Sequence, residues 1–162
     1  MLKLGKLADY GTMIVTVLAA EPERLYPAQE LAAQTHVAAP TVSKLLKQLT
    51  KGGLVESLRG AHGGYKLSRP PASITVADVI AAIDGPIGLT QCSVHKGDCA
   101  VESTCGVRSN WRLINTAIHQ ALKSVTLADM ARPGRPGVSR DPASFIIKFH
   151  KVLDSGLRRN DN

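Results

Sequence analysis

Lys51-Gly-Gly-Leu-Val-Glu-Ser-Leu-Arg-Gly-Ala-His-Gly-Gly-Tyr-Lys-Leu-Ser68 reads as a helix end, a strand, a turn and a returning strand. Lys51-Gly52-Gly53 terminates a helix. Leu54 to Leu58 reads as a short strand, and Tyr65 to Ser68 brings the chain back. Between them lies a glycine-rich turn, Arg59 to Gly64. Gly60, Gly63 and Gly64 remove side chains where backbone must approach closely. A glycine loop that cradles a nucleotide phosphate lies between a strand and a helix. This one lies between two strands, which argues against that use.

What precedes the hairpin gives it a meaning. Leu7, Tyr10, Ile14, Val17 and Leu18 recur at three- and four-residue steps, predicting an amphipathic helix over about residues 6–20. Asp9 sits near its start, where a carboxylate favours the helix dipole. Glu21-Pro22-Glu23 stops it. Pro27 suits the first turn of a second helix and Pro40 that of a third. In the third, Val42, Leu45, Leu46 and Leu49 form the stripe to be buried. Thr41, Ser43, Lys44, Lys47 and Gln48 point elsewhere. Two short helices joined by a tight turn describe a helix-turn-helix, or equally a helical hairpin that only packs a core. A β-hairpin directly after it is a wing and favours the first reading. Thr and Ser can donate to phosphates or base edges, lysine neutralises phosphate, and an arginine on a narrow tip suits a minor groove. Thr41, Ser43, Lys44 and Lys47 on the third helix, with Arg59 and His62 on the wing, are therefore the candidate DNA-contacting residues.

Downstream, Thr75-Val76-Ala77-Asp78 reads as a capping box, with Asp in place of Glu, opening a helix to about Asp84. Gly85-Pro86 then delivers the chain to a loop holding every cysteine: Cys92, Cys99 and Cys105, spaced C-x6-C-x5-C. That spacing fits neither one helix face nor a strand. Thiolates are preferred ligands of zinc, copper(I) and iron–sulfur clusters, but structural zinc sites and iron–sulfur clusters take four protein ligands as a rule. The fourth ligand is then a non-cysteine residue, a partner-chain residue or exogenous. The plainer alternative is three reduced thiols. After the loop, Val107, Trp111, Ile114, Ile118, Ala121 and Val125 make a heptad-like seam over roughly 30 Å of helix. A homodimer is the economical way to cover it; the alternative is packing back on the winged half. Thr126 to Asp129 reads as another capped start, stopped by Pro133.

The chain has 162 residues and a net charge of +7. Residues 1–70 carry nine Lys/Arg against five Asp/Glu, residues 71–130 four against five, and residues 131–162 seven against three. A basic first half suits a polyanion such as DNA, although charge alone also describes a solvated surface. Three cysteines argue against a secreted disulfide framework. No signal peptide and no membrane-length apolar run is present, so a cytoplasmic location is expected, with no membrane or small-molecule substrate as partner. The expected fold is mainly α with a small β-hairpin. It comprises a winged helix-turn-helix domain (1–70), a linker helix, cysteine loop and dimerisation helix (71–130) and a flexible basic tail (131–162). Phe145, Phe149, Val152 and Leu153 are compatible with a short amphipathic helix in that tail.

With these parts placed, residues 1–130 resemble the iron–sulfur-dependent winged-helix transcriptional regulators. That family includes the Isc-type and Suf-type cluster-assembly regulators and the nitric-oxide-sensing NsrR repressors. The resemblance rests on Leu54-Val55, on Arg59 through Tyr65, on Ala77-Asp78-Val79-Ile80 and on the three cysteines. Lys6-Leu7-Ala8-Asp9-Tyr10, Gly60 through Tyr65 and Asn110-Trp111-Arg112-Leu113-Ile114-Asn115 look most like the Suf-system regulators. The resemblance implies a homodimer on a palindromic operator and an iron–sulfur cluster, 2Fe–2S or 4Fe–4S, on Cys92, Cys99 and Cys105. It also implies DNA contacts at Thr41, Ser43, Lys44 and Arg59, and Fe–S assembly genes as targets, more naturally repressed than activated. Isc-type members carry a ligating histidine three residues after the last cysteine; here that position is Arg108, which cannot ligate. NsrR-like members supply an aspartate from the first helix across the dimer, matching Asp9; His95 and Glu102 compete for that role. The rivals are a thiol-redox or nitric-oxide-responsive regulator, a zinc- or cysteine-site enzyme, and a metal-stabilised interaction module. No Cys-His nucleophile arrangement, phosphate loop or paired carboxylates support the enzyme.

Overall fold

The computed structural model describes residues 5–60, 62–90, 99–101 and 104–132. These residues fall in the unit Met1–Ala131, apart from Arg132, which begins a second unit, Arg132–Asn162. The tail helix expected around Phe145 and Phe149, like Cys92, His95 and Glu102, lies outside the described residues.

Helix α1, Lys6–Ala20, buries Ala8, Gly11, Ile14, Val15, Leu18 and Ala19, while Leu7, Tyr10 and Val17 lie half-buried at the edge of that stripe. Helix α2 is Ala28–Thr35, with Pro27 as its N-cap, one residue before the first turn where the sequence suggested it. Between α2 and α3 the chain turns at His36, in the left-handed region at φ 54°. Helix α3, Ala39–Lys51, fully buries Val42, Leu45, Leu46 and Leu49, the expected stripe.

The end of α3 is closed by backbone geometry. Gly53 takes φ +70°, Leu54 N–H donates to the Leu49 carbonyl at 3.0 Å, and Gly53 N–H donates to the Thr50 carbonyl at 3.0 Å. This paired 6→1 and 5→2 pattern satisfies carbonyls that a helix end leaves orphaned, and buried Leu54 and Leu49 supply its hydrophobic contact. Strands β1, Val55–Leu58, and β2, Gly64–Leu67, then pair antiparallel in the register Val55 with Leu67 through Leu58 with Gly64. Tyr26 adds a third, one-residue strand that the sequence did not announce. Its N–H donates to the Tyr65 carbonyl at 3.0 Å and Tyr65 N–H donates back at 2.9 Å. The wing is thereby fastened to the α1–α2 connection. Arg24 reinforces that connection, pairing with Glu30 at 2.6 Å and lying 4.4 Å over the Tyr26 ring.

A 3-10 turn, Pro71–Ser73, leads to α4, Val76–Asp84, opened by the expected capping box. Asp78 Oδ2 accepts from the Thr75 N–H and hydroxyl at 2.9 Å each, and Asp78 N–H donates to the Thr75 hydroxyl at 3.2 Å. Helix α5, Arg108–Lys123, is followed by α6, Leu127–Met130, which starts with the same box at Thr126 and Asp129. The two boxes lie edge to edge. Thr75 and Thr126 form an antiparallel bridge, in which Val76 N–H meets the Val125 carbonyl at 3.0 Å and Leu127 N–H the Ile74 carbonyl at 2.9 Å. Leu127 is fully buried in the same cluster as Ile14, Leu45 and Val79, so the last short helix helps close the core of the winged half.

Candidate nucleic-acid interface

Because α3 spends one face on Val42, Leu45, Leu46 and Leu49, the helical period leaves Ser43, Lys44 and Lys47 exposed, with Thr41 half-buried at the start. Arg59 and His62 are exposed on the wing. Lys47 and Arg59 line one cleft of about 870 Å3, together with Pro27, Thr50, Lys51 and Tyr65. The structure thus brings the third helix, the start of α2 and the wing around one recess carrying three cationic side chains. Lys51 was not singled out in the sequence, although it stands one turn beyond Lys47 and continues the same row.

The wing glycines separate into two kinds. A Cβ on Gly64 would stand 2.9–3.1 Å from the backbone of Tyr26, and one on Gly63 would collide with the Leu58 carbonyl. Both serve the protein's own backbone. Gly60 has φ +125° and open space around it, so it is the glycine that shapes the tip. Lys66 pairs with Glu56 across the hairpin at 3.1 Å and stiffens the wing behind that tip.

Of the three cysteines, Cys99 and Cys105 are free and half-buried. Cys105 stands at the entrance to α5, its carbonyl accepting from Arg108 N–H at 3.4 Å. Asp9 is exposed on the first turn of α1. Among the described residues no three His, Cys, Asp or Glu side chains gather into a metal-binding group. Arg108 is the first residue of α5.

The seam of α5 is largely uncovered. Trp111 is 39%, Ile114 43% and Leu113 57% exposed, and no residue of this helix is fully buried. Ile118 and Ala121 are half-buried while Val125 is 38% exposed, so only the middle of the seam rests on the rest of the chain. Among the described residues no helix is long and apolar enough to cross a membrane.

Comparison with known proteins agrees with this architecture. The family model Rrf2, described as an iron-dependent transcriptional regulator, matches residues 4–133. The HTH-type transcriptional regulator IscR of Vibrio campbellii is 30% identical over 132 residues, covering 81% of this chain and 78% of the relative. The solved structure of CymR, the global cysteine regulator of B. subtilis, superposes with a TM-score of 0.65 at 32% identity, over 81% of this chain and 97% of that one. IscR of T. potens superposes with a TM-score of 0.59 at 33% identity, over 80% of this chain and 85% of that one.

Proposed function

The chain belongs to the Rrf2 family of DNA-binding transcriptional regulators, and from that premise we propose that it is a homodimeric repressor of Fe–S cluster assembly genes, sensing through an iron–sulfur cluster in its cysteine loop. Residues 1–70 read the operator, residues 71–130 sense and dimerise, and residues 131–162 form a basic extension. Thr41, Ser43, Lys44 and Lys47 face the major groove, and Arg59 and His62 the adjacent minor groove. The observation that carries the DNA-reading half is the recess shared by Lys47, Lys51 and Arg59, which sets the polar face of α3 beside the wing. Two such faces, about 34 Å apart, would match successive major grooves of a palindrome. The uncovered seam at Trp111 and Ile114 supports the dimer.

Cys92, Cys99 and Cys105 would hold the cluster, with Asp9 of the partner subunit as the fourth ligand. The donor set suits it, because thiolates are the usual protein ligands of Fe–S centres and Cys99 and Cys105 are free of disulfide. An oxygen ligand is weak and exchangeable, which suits a sensor. When bound, the cluster supplies a state that depends on iron and oxidant. Loop and α5 arrangement would follow that state, and DNA affinity with it, provided the two forms bind DNA differently.

Anaerobic purification with an absorption spectrum and iron and sulfide counts tests the sensor. Matching iron and sulfide, lost in Cys99→Ala without loss of the folded dimer, is the expected result. Colourless protein after attempted reconstitution would instead favour a thiol-redox regulator. That second reading draws on the free, partly exposed Cys99 and Cys105. DNA binding that weakens steeply with salt tests the regulator itself.

A further inference from the structure

The last turn of α4 and the chain that runs from it to the cysteine loop are tied at both ends by side-chain amides that the proposed function does not use. At its start, Gln48 Nε2, on α3, donates to the Ile83 carbonyl at 3.3 Å. At its end, the Asn115 amide, on α5, grips the backbone twice, donating to the Ile87 carbonyl at 3.3 Å and accepting from Leu89 N–H at 3.2 Å. Between these ties lies the Gly85-Pro86 turn, with Gly85 at φ +89°. Three residues beyond Leu89 comes Cys92.

Gln48 is unusual on the helix that carries the candidate DNA contacts. Its neighbours in sequence either point to solvent or fill the core, whereas its Oε1 is buried without a hydrogen-bond partner. A buried acceptor left unpaired destabilises a fold, and removing it is often neutral or favourable. For packing alone methionine would serve about as well, the removal of the unpaired acceptor offsetting the lost bond to the Ile83 carbonyl. An amide retains an advantage here if its bond to the Ile83 carbonyl transmits position.

We propose that residues 83–89 act as a strap, with Gln48 and Asn115 as positioning residues that couple the cysteine loop and α5 to α3. Displacement of the loop is passed through Leu89 and Ile87 to Asn115. It is passed through the turn at Gly85 to Ile83, and from there to Gln48 one turn from Lys44. The inference rests on the sensing role proposed above and adds the residues through which it reaches the DNA-facing helix.

The test uses the full-length chain with and without its cluster, and a duplex selected from a random library by the loaded wild-type protein. Gln48→Met keeps side-chain length and discards the unpaired acceptor; Asn115→Leu keeps volume and discards both backbone bonds. Gln48→Met trades the bond to the Ile83 carbonyl for removal of the unpaired acceptor and should unfold close to the wild type; both variants should keep wild-type iron and sulfide content. The ratio of loaded to apo affinity should move toward one by about fivefold in Gln48→Met, the worth of one ordinary hydrogen bond, and by more in Asn115→Leu, which removes two. Hydrogen exchange at Thr50 and Lys51 should stop responding to the cluster, and in the apo protein the Leu89 amide should exchange faster in Asn115→Leu. Should Asn115→Leu fail to fold, Gln48→Met alone decides. A cluster-dependent ratio that survives in the folded variants overturns the strap and leaves the sensor standing. A wild-type ratio of one overturns both.

Discussion

Replacing Gly64 by alanine tests how the wing is held. The added Cβ would meet three backbone atoms of Tyr26 at 2.9–3.1 Å, inside ordinary contact distance and with no flexible side chain to yield. Relief requires the hairpin to move off Tyr26, which breaks or stretches the two bonds that join Tyr26 and Tyr65. At about 1 kcal/mol for each backbone hydrogen bond, the loss is about 2 kcal/mol, and imperfect repacking around buried Tyr26 raises it to about 3 kcal/mol. Urea unfolding should show the midpoint falling with an unchanged slope, because the surface exposed on unfolding is the same. DNA affinity should fall as well, since Arg59 rides on the displaced hairpin. Gly60→Ala is the contrast. Its space is open, so it should destabilise by about 1 kcal/mol through its positive φ alone. A Gly64→Ala protein within about 0.5 kcal/mol of wild type, with unaltered DNA binding, would refute the bridge as the wing's anchor.

Arg59→Ala should lower specific affinity and reduce the slope of log affinity against log salt by about 0.9 for each phosphate no longer neutralised, hence about 1.8 for a dimer, read from titrations at several salt concentrations. Burial works against ionisation of Asp78, but the Thr75 N–H and hydroxyl outweigh it and hold its carboxyl below the usual range. Its contribution is therefore present above the unfolded carboxylate pKa and lost as pH falls through the folded one, so Asp78→Asn should be less stable at neutral pH and converge with wild type in acid unfolding curves. Ile114→Asp should give a monomer by sedimentation with helical content retained, because the side chain is exposed in the single chain. His36→Gly should raise stability by about 0.5–1 kcal/mol in urea, since glycine accepts the left-handed turn between α2 and α3 more readily than a residue with a Cβ.

Much of this architecture could be read from local pattern. The four apolar residues of α3, the paired glycines at its end, and Thr75 with Asp78 each act within one or two turns, where spacing is a direct record of geometry. The exposed seam of α5 was also visible, because an apolar row with nothing nearby to cover it is a property of the row itself. Tyr26 escaped because a one-residue strand has no period. The contact of Thr75 with Thr126 escaped because each threonine looked only like the start of its own helix. Gln48 and Asn115 escaped for a related reason: an amide that binds a distant carbonyl leaves no mark on its own neighbourhood. The wing glycines were noticed, but their purpose was not separable. Only the surrounding backbone distinguishes Gly63 and Gly64, crowded by the protein itself, from Gly60 at the open tip.

The burial of Leu127 beside Ile14 also bears on how the chain comes into being. About 110 residues separate these two members of one core, and at a synthesis rate of roughly 5–20 residues per second the interval between them is on the order of 6–20 seconds. For the last 43 residues of that interval, roughly 2–9 seconds after α4 is complete at Asp84, the nascent chain holds α1 through α4 with one side of their apolar interior unsealed. Contacts of such long range also slow the final closure, because loop entropy must be overcome before they form. The winged half is thus most exposed to aggregation and to chaperones while it is being made, and substitutions at Leu127 should lower the yield of soluble protein at higher expression temperatures before they alter its affinity for DNA.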